Sequence, residues 1–329
     1  MIISKTPFRI SFFGGGTDYV PWFKENGGMS LVTTIDKYCY ITCRYLPPFF
    51  EYNSRIVYSK MELVKNNNEI SHPAVREILR YLEISRGVEI HHDADLPART
   101  GLGSSSAFAV GLLNTIHRMF GRAPSKMELA EEAIYVEQGL CKENVGCQDQ
   151  ISTACGGLNV ISFDWNEKPV YEVEKVKISQ ERIREFEGNL MLYFTGFSRI
   201  ASEIAKHQIE NIPNKTRELR RMMSMVSEGL DILHTGDLDD FGRLLHEGWA
   251  LKRSMSTRVS TPEIDLLYDK AVQSGALGGK ILGAGGGGFM LLYVPKEHQP
   301  RVRRALEDFL EVPFKFENTG TEIIGNHNE

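Results

Sequence analysis

The order of apolar and polar residues predicts a two-domain protein of mixed strands and helices, and three observations carry that prediction. The chain has 329 residues, enough for two domains of ordinary size that each bury a core. Extended runs rich in β-branched and aromatic residues precede the first long helical stretch. The second half opens on a strand pattern, passes through helical segments and returns to strands. Hydrophobic residues make up 42% and charged residues 25%, which excludes disordered and collagen-like chains. With 38 Lys/Arg against 43 Asp/Glu the net charge is −5, so no bulk positive field is available to hold nucleic acid. No stretch approaches the roughly 20 apolar residues of a membrane helix, and the first residues lack the apolar core of a signal peptide, so a cytoplasmic protein without a membrane partner is expected. Five cysteines with no Cys-x-x-Cys pair read as small core thiols in a reducing compartment. His91 and His92 would face opposite sides of a strand, and no His-Glu-x-x-His occurs, which argues against a transition-metal site.

The elements follow in order. Phe8, Ile10 and Phe12 share one face of a first strand, Arg9, Ser11 and Phe13 the other, and Gly14-Gly15-Gly16 ends it. Further strands are expected over residues 31–45, 55–58 and 88–91. A helix should start in Ser104-Ser105-Ser106 and run through residue 113; it is apolar nearly all round and therefore sandwiched, with Gly121 as its stop. Ser125 and Glu128 have the spacing of a capping box, predicting a helix to about Gln138 that Gly139 terminates. After a strand over 158–163 the composition turns polar, which places the domain boundary between 1–165 and 166–329. Residues 190–194 read as a strand, three or four helical segments should lie between Ser202 and Ser274, and strands return at 280–282 and 289–294.

Three glycine-rich segments and two carboxylates carry the chemistry. The segment from Pro97 through Arg99, Gly101, Leu102 and Gly103 to Ser104, Ser105 and Ser106 is a glycine loop feeding a helix. Such a junction aims free amides and the positive helix end at one spot, and serine hydroxyls there can meet phosphate or Mg²⁺. It is not a Walker A loop, because Ser104 stands where the lysine would be. Taken alone, the fragment reads first as a serine N-cap after a tight turn. The run from Gly283 to Gly288 leads into a strand, which excludes a dinucleotide fingerprint; so many glycines imply close packing on another backbone or a ligand. In the first segment the glycine turn presents Thr17 and Asp18 beyond a strand that carries Arg9 and Ser11. Glu137 near a helix end and Asp149 on the next element can serve one metal and one nucleophile, as phosphoryl transfer requires.

Together, Pro7-x-Arg9 with Gly14-Gly15-Gly16-Thr17-Asp18, Pro97-x-x-x-Gly101-Leu102-Gly103-Ser104-Ser105, and Gly283-Ala284-Gly285-Gly286-Gly287-Gly288 resemble the three motifs of the GHMP kinase superfamily over residues 5–288. The resemblance implies an α+β GHMP kinase fold, with an N-terminal ribosomal S5-like domain meeting a C-terminal ferredoxin-like domain and the active site between them. It implies ATP and Mg²⁺ as cofactors. Pro97, Gly101, Leu102, Gly103, Ser104, Ser105 and Ser106 would form the phosphate loop, with Gly285 and Gly286 beside it. Ser105 and Glu137 would hold the metal, Asp149 would take the acceptor's proton, and Arg9 would steady the transferred charge. Gly15, Gly16, Thr17 and Asp18 would face the substrate.

Galactokinases carry Gly-Glu-His where this chain has Gly14-Gly15-Gly16, which argues against galactose. The first segment looks most like that of bacterial sugar-1-kinases acting on the anomeric hydroxyl of D-glycero-D-manno-heptose 7-phosphate, with fucokinase-like enzymes next. The expected partners are then a sugar phosphate and ATP, with a homodimer as the one oligomer considered. Lys37, Arg44, Arg99, Arg199, Lys252, Arg253 and Arg258 are candidates for the cation that an acceptor phosphate needs. A non-catalytic sugar and nucleotide sensor has no use for Asp149, and a mevalonate-like acceptor fits poorly with Thr17-Asp18-Tyr19.

Overall fold

The structure is a computed structural model and describes residues 1–196 and 201–326. Its strands are β1 (Ile2–Phe13), β2 (Gly28–Tyr45), β3 (Ser54–Val57), β4 (Met61–Val64), β5 (Val88–Ala94), β6 (Asn159–Asn166), β7 (Lys168–Lys175), β8 (Leu190–Gly196), β9 (Gly278–Ile281), β10 (Gly288–Tyr293), β11 (Leu310–Glu311), β12 (Phe316–Glu317) and β13 (Glu322–Asn326). The helices are α1 (Val20–Asn26), α2 (Pro73–Tyr81), α3 (Ser104–Met119), α4 (Lys126–Ile134), α5 (Gln148–Cys155), α6 (Gln180–Gly188), α7 (Ala201–Asn211), α8 (Thr216–His234), α9 (Leu238–Met255), α10 (Pro262–Gln273) and α11 (Gln299–Ala305).

One sheet has the order β13-β1-β2-β5-β3-β4, with β6 and β12 also pairing β2 and β7 pairing β6. The second sheet is antiparallel, in the order β11-β8-β10-β9. The boundary expected at 165/166 falls inside the β6–β7 hairpin, which continues to Lys175 on the first sheet. The C-terminal strands β12 and β13 also return to that sheet, beside β2 and β1. No local periodicity signals such a return, because it depends on edge strands meeting across the length of the chain.

Helix α3 lies buried along β1 and β2, as its all-round apolar surface requires: Ala107, Ala109, Leu112 and Leu113 are fully covered. A Cβ on Gly111 would come within 2.9 Å of Thr6 Oγ1, so glycine permits this close approach. Helix α4 opens with the Ser125–Glu128 capping box. It does not stop at Gly139; from Tyr135 to Leu140 the turns widen into a π-helical segment. At the far end of β1, Phe12 meets Phe186, Phe241 and Phe316 with ring centroids 5.4–6.3 Å apart, so one aromatic cluster joins elements from both halves of the chain. The described cysteines are all free, with Cys39, Cys43 and Cys147 buried. Among the described residues no helix is long and apolar enough to cross a membrane.

Candidate active site

The first turn of α3 is the natural starting point. Its N-cap, Gly103, takes a left-handed conformation at φ 74°, and no side chain caps the amides that follow. The positive helix end is therefore left without a side-chain cap, which suits an anion. Two backbones meet beside it. A Cβ on Gly101 would fall 2.3 Å from the Leu282 carbonyl oxygen, and one on Gly288 would fall 2.2 Å from that of Thr100. Gly283 and Gly288 are thus explained by direct backbone contact with the loop ahead of α3, which only residues without a Cβ allow. Gly285 lies against Val259, and the Gly286 amide donates to the Val259 carbonyl at 2.8 Å, so that amide already has a partner.

Arg9 connects this loop to a carboxylate. Its backbone amide donates to the Leu102 carbonyl at 3.0 Å and its Nη1 to the Gly101 carbonyl at 2.7 Å. Its Nε and Nη2 grip Asp149 Oδ1 and Oδ2 at 2.7 and 2.6 Å. A bidentate guanidinium–carboxylate pair fixes both planes, so Asp149 is held in one orientation at the start of α5. The Asp149 side chain keeps 25% of its surface accessible whereas that of Arg9 keeps 4%. A Cβ on Gly103 would lie 3.1 Å from Arg9 Cγ and 3.7 Å from Asp149 Oδ2, so the helix start, the acid and the guanidinium converge.

Glu137 sits in the π segment, a local widening that proteins often place at functional positions. Its carboxylate accepts from the Ser105 hydroxyl at 2.6 Å, the Ser106 hydroxyl at 2.8 Å and Gln150 Nε2 at 2.6 Å. Burial pushes its carboxyl up to about 7, against the lowering effect of these three donors. A hydroxyl and a carboxylate in contact at an anion-binding helix end form the partial shell of hard oxygens that Mg²⁺ takes when phosphates and water complete it. No cluster of three or more His, Cys, Asp or Glu able to hold a metal occurs among the described residues.

The Gly14–Gly16 turn forms the remaining wall. Thr17 is fully buried, and its hydroxyl donates to the Gly14 and Met29 carbonyls at 2.7 and 3.0 Å. It holds the turn from beneath instead of facing the space above it. Asp18 is buried too, accepting from the Gly16 amide at 3.0 Å and the Gln148 amide at 3.4 Å. Burial raises its pKa, and the neighbouring Asp149 charge adds to that. A Cβ on Gly146 would overlap Asp18, so glycine is required there. Pro97 accepts from the Thr100 hydroxyl at 2.8 Å, and Ser104 Oγ accepts from the Arg99 amide at 3.2 Å, which shapes the loop before the helix.

Two of the described lysines are buried, of which sequence reasoning passed over Lys280 and offered Lys252 only as a cation for an acceptor phosphate. Lys252 Nζ donates to the Ile281 and Gly283 carbonyls, and Lys280 Nζ donates to the Phe12 carbonyl at 2.8 Å. A lysine inside the apolar strand β9 was the available signal. Gln150, which supports Glu137, had none beyond its place after Asp149. Of the seven cations proposed for an acceptor phosphate, Lys37, Arg44, Arg253 and Arg258 form ion pairs with Asp36, Glu89, Asp265 and Glu203. Lys252 holds carbonyls, Arg99 shapes the loop, and Arg199 lies outside the described residues.

Comparison with known proteins places the chain in a family. The GHMP kinases N terminal domain matches residues 63–157 and the GHMP kinases C terminal domain matches residues 230–312. The chain belongs to the GHMP kinases and has their α+β fold; it is an ATP-dependent phosphotransferase with a hydroxyl acceptor. Among individual relatives, it is 27% identical to the D-glycero-alpha-D-manno-heptose 7-phosphate kinase of Campylobacter jejuni subsp. jejuni over 93% of each chain. It is 24% identical to a galactokinase of Thermotoga neapolitana over 97% of each chain. A crystal structure of a D-glycero-D-manno-heptose 1-phosphate kinase from Bacteriodes thetaiotaomicron superposes with a TM-score of 0.80 at 24% identity, covering all of both chains.

Proposed function

We propose that this protein is a sugar-1-kinase that transfers the γ-phosphoryl group of ATP to the anomeric hydroxyl of D-glycero-D-manno-heptose 7-phosphate, giving the 1,7-bisphosphate and ADP. The observation that carries the reading is the double role of Arg9, which clasps Asp149 and binds the loop ahead of α3. It puts a proton acceptor next to an anion site. Asp149 takes the proton as the acceptor oxygen bonds to the γ-phosphorus and the bond to the ADP oxygen breaks. Arg9 steadies the charge on the transferred group, and the α3 amides orient the phosphates. Ser105 and Glu137 would hold Mg²⁺, which would supply charge neutralisation at the phosphates.

The acceptor assignment is supported by the bare Gly14–Gly16 turn, which leaves room for a large sugar, and by the likeness to the Campylobacter relative. Arg220 would receive the distal phosphate. It is exposed and free of ion pairs among the described residues, at the start of α8, whose Leu219 lies 3.3 Å from the position of a Gly16 Cβ. A coupled ADP-release assay with heptose 7-phosphate, fucose, galactose and mevalonate tests the proposal. The heptose phosphate should give the highest kcat/KM, and Arg220→Ala should raise its KM. Preferential turnover of galactose or mevalonate, or no ADP release with any of them, overturns it.

A further inference from the structure

The three glycines of the first turn do not have the same physical cause. Gly14 and Gly16 sit at φ 80° and 98°, where a side chain is strained, and a Cβ on Gly14 would overlap the Met29 carbonyl. Gly15 has neither constraint. Its φ is not in the left-handed region, and a Cβ there would meet only Gln148 Nε2 and Ser11 Oγ, each at an ordinary 3.7 Å. Neither backbone nor packing demands glycine at this position. The space above Gly15 is bounded by two polar atoms and stays open only because no side chain fills it.

Gln148 is arranged to use that space. The Ser11 hydroxyl donates to Gln148 Oε1 at 2.7 Å, which turns the amide nitrogen toward Gly15. The Gln148 backbone amide donates to Asp18 Oδ2 at 3.4 Å, and the Ser152 hydroxyl to the Gln148 carbonyl at 2.5 Å, so the residue is held from both sides. Gln148 is only 8% exposed, yet Nε2 has no hydrogen-bond partner among the described residues and is not sealed from solvent. An oriented amide donor, mostly buried and without a partner, gains a hydrogen bond when a ligand oxygen arrives. It stands one residue before Asp149, on the same first turn of α5.

We infer that Ser11, Gly15 and Gln148 form an acceptor subsite, in which the Gln148 side-chain amide donates a hydrogen bond to the acceptor hydroxyl next to the one that reacts. The inference rests on the kinase reading above. Gln148 determines specificity here, Ser11 sets the direction of its amide, and Gly15 keeps the subsite open.

The test uses the full chain with D-glycero-D-manno-heptose 7-phosphate as probe. Gln148→Met, which keeps the length and removes the donor, should lower kcat/KM for the acceptor about 10- to 100-fold, the scale of one lost directional contact. Gln148→Glu, which offers an acceptor where a donor is needed, should fall at least as far. Gly15→Ala should fold normally and raise the acceptor KM about tenfold or more. All three should leave the KM for ATP unchanged, a split that general loosening of the fold would not give. In parallel, the side-chain ¹⁵N–¹H signals of Gln148 should shift on titration with the probe. Equal kcat/KM in wild type, Gln148→Met and Gly15→Ala, or unmoved Gln148 signals, overturns the subsite. If the acceptor assignment fails instead, the wild type turns over another sugar of the panel, and the same variants are read on that sugar.

Discussion

At the residue scale, Arg9 and Asp149 behave as one unit. Four of the Arg9 donors are engaged, two with the carboxylate and two with the carbonyls of the loop before α3, so the acid cannot turn without disturbing that loop. Asp149→Asn should lower kcat by about 10²–10⁴, the usual contribution of a general base, while nucleotide affinity measured by calorimetry stays close to that of the wild type. A variant that keeps most of its turnover would remove Asp149 from the role of base. Arg9 was legible from its place in the first glycine segment, and Asp149 only as the counterpart that the resemblance to the GHMP kinases implies. The partners of Glu137 were legible only in part: Ser105 came from the loop pattern, whereas Gln150 joins through a contact that spacing does not announce.

At the element scale, the site is two loops in backbone contact and one widened helix. Helical periodicity carries α4 smoothly past Glu137, and Gly139 is a credible stop, yet the chain inserts a π turn before it ends. Within the widened segment the Glu137 carboxylate accepts from Ser105, Ser106 and Gln150 at once. The loop contact leads to a prediction. Gly101→Ala puts a Cβ within 2.3 Å of the Leu282 carbonyl at a backbone φ of 82°, so the two loops must separate. Displacement of about 1 Å at a phosphate site costs on the order of 10²-fold, and a loss of that size is expected in kcat/KM for ATP. Gly121→Ala is the control. It has a comparable φ of 70° but nothing within 4 Å, so it should cost about 1 kcal/mol in stability and leave the kinetics unchanged.

At the scale of the whole molecule, the second sheet is tied to the end of β1 by the Phe12 aromatic cluster and by Lys280, whose ammonium donates to the Phe12 carbonyl. Burial first, and then the charge of Arg9, pushes this lysine from 10.5 down to about 7. Between those values the unfolded chain holds the proton more tightly than the native one, so this group makes stability rise with pH through the window and adds nothing to the slope below it. Lys280→Met should remove that rise, flattening the curve by at most about 1.4 kcal/mol per pH unit in urea titrations from pH 7 upward. An unchanged slope would mean that Lys280 titrates alike in the folded and unfolded states.

By itself the sequence determined the class of the protein, the loop before α3 and the capped start of α4. Those features are local: glycine punctuation, side-chain periodicity and cap spacing act within a few residues of the chain. Only the tertiary structure decided that Arg9 reaches across 140 positions to Asp149, that β12 and β13 rejoin the first sheet, and that Gly15 leaves room beside Gln148. Each of these depends on which distant backbone comes to lie alongside. A window of neighbouring residues carries no record of that choice, because it is made by packing in three dimensions.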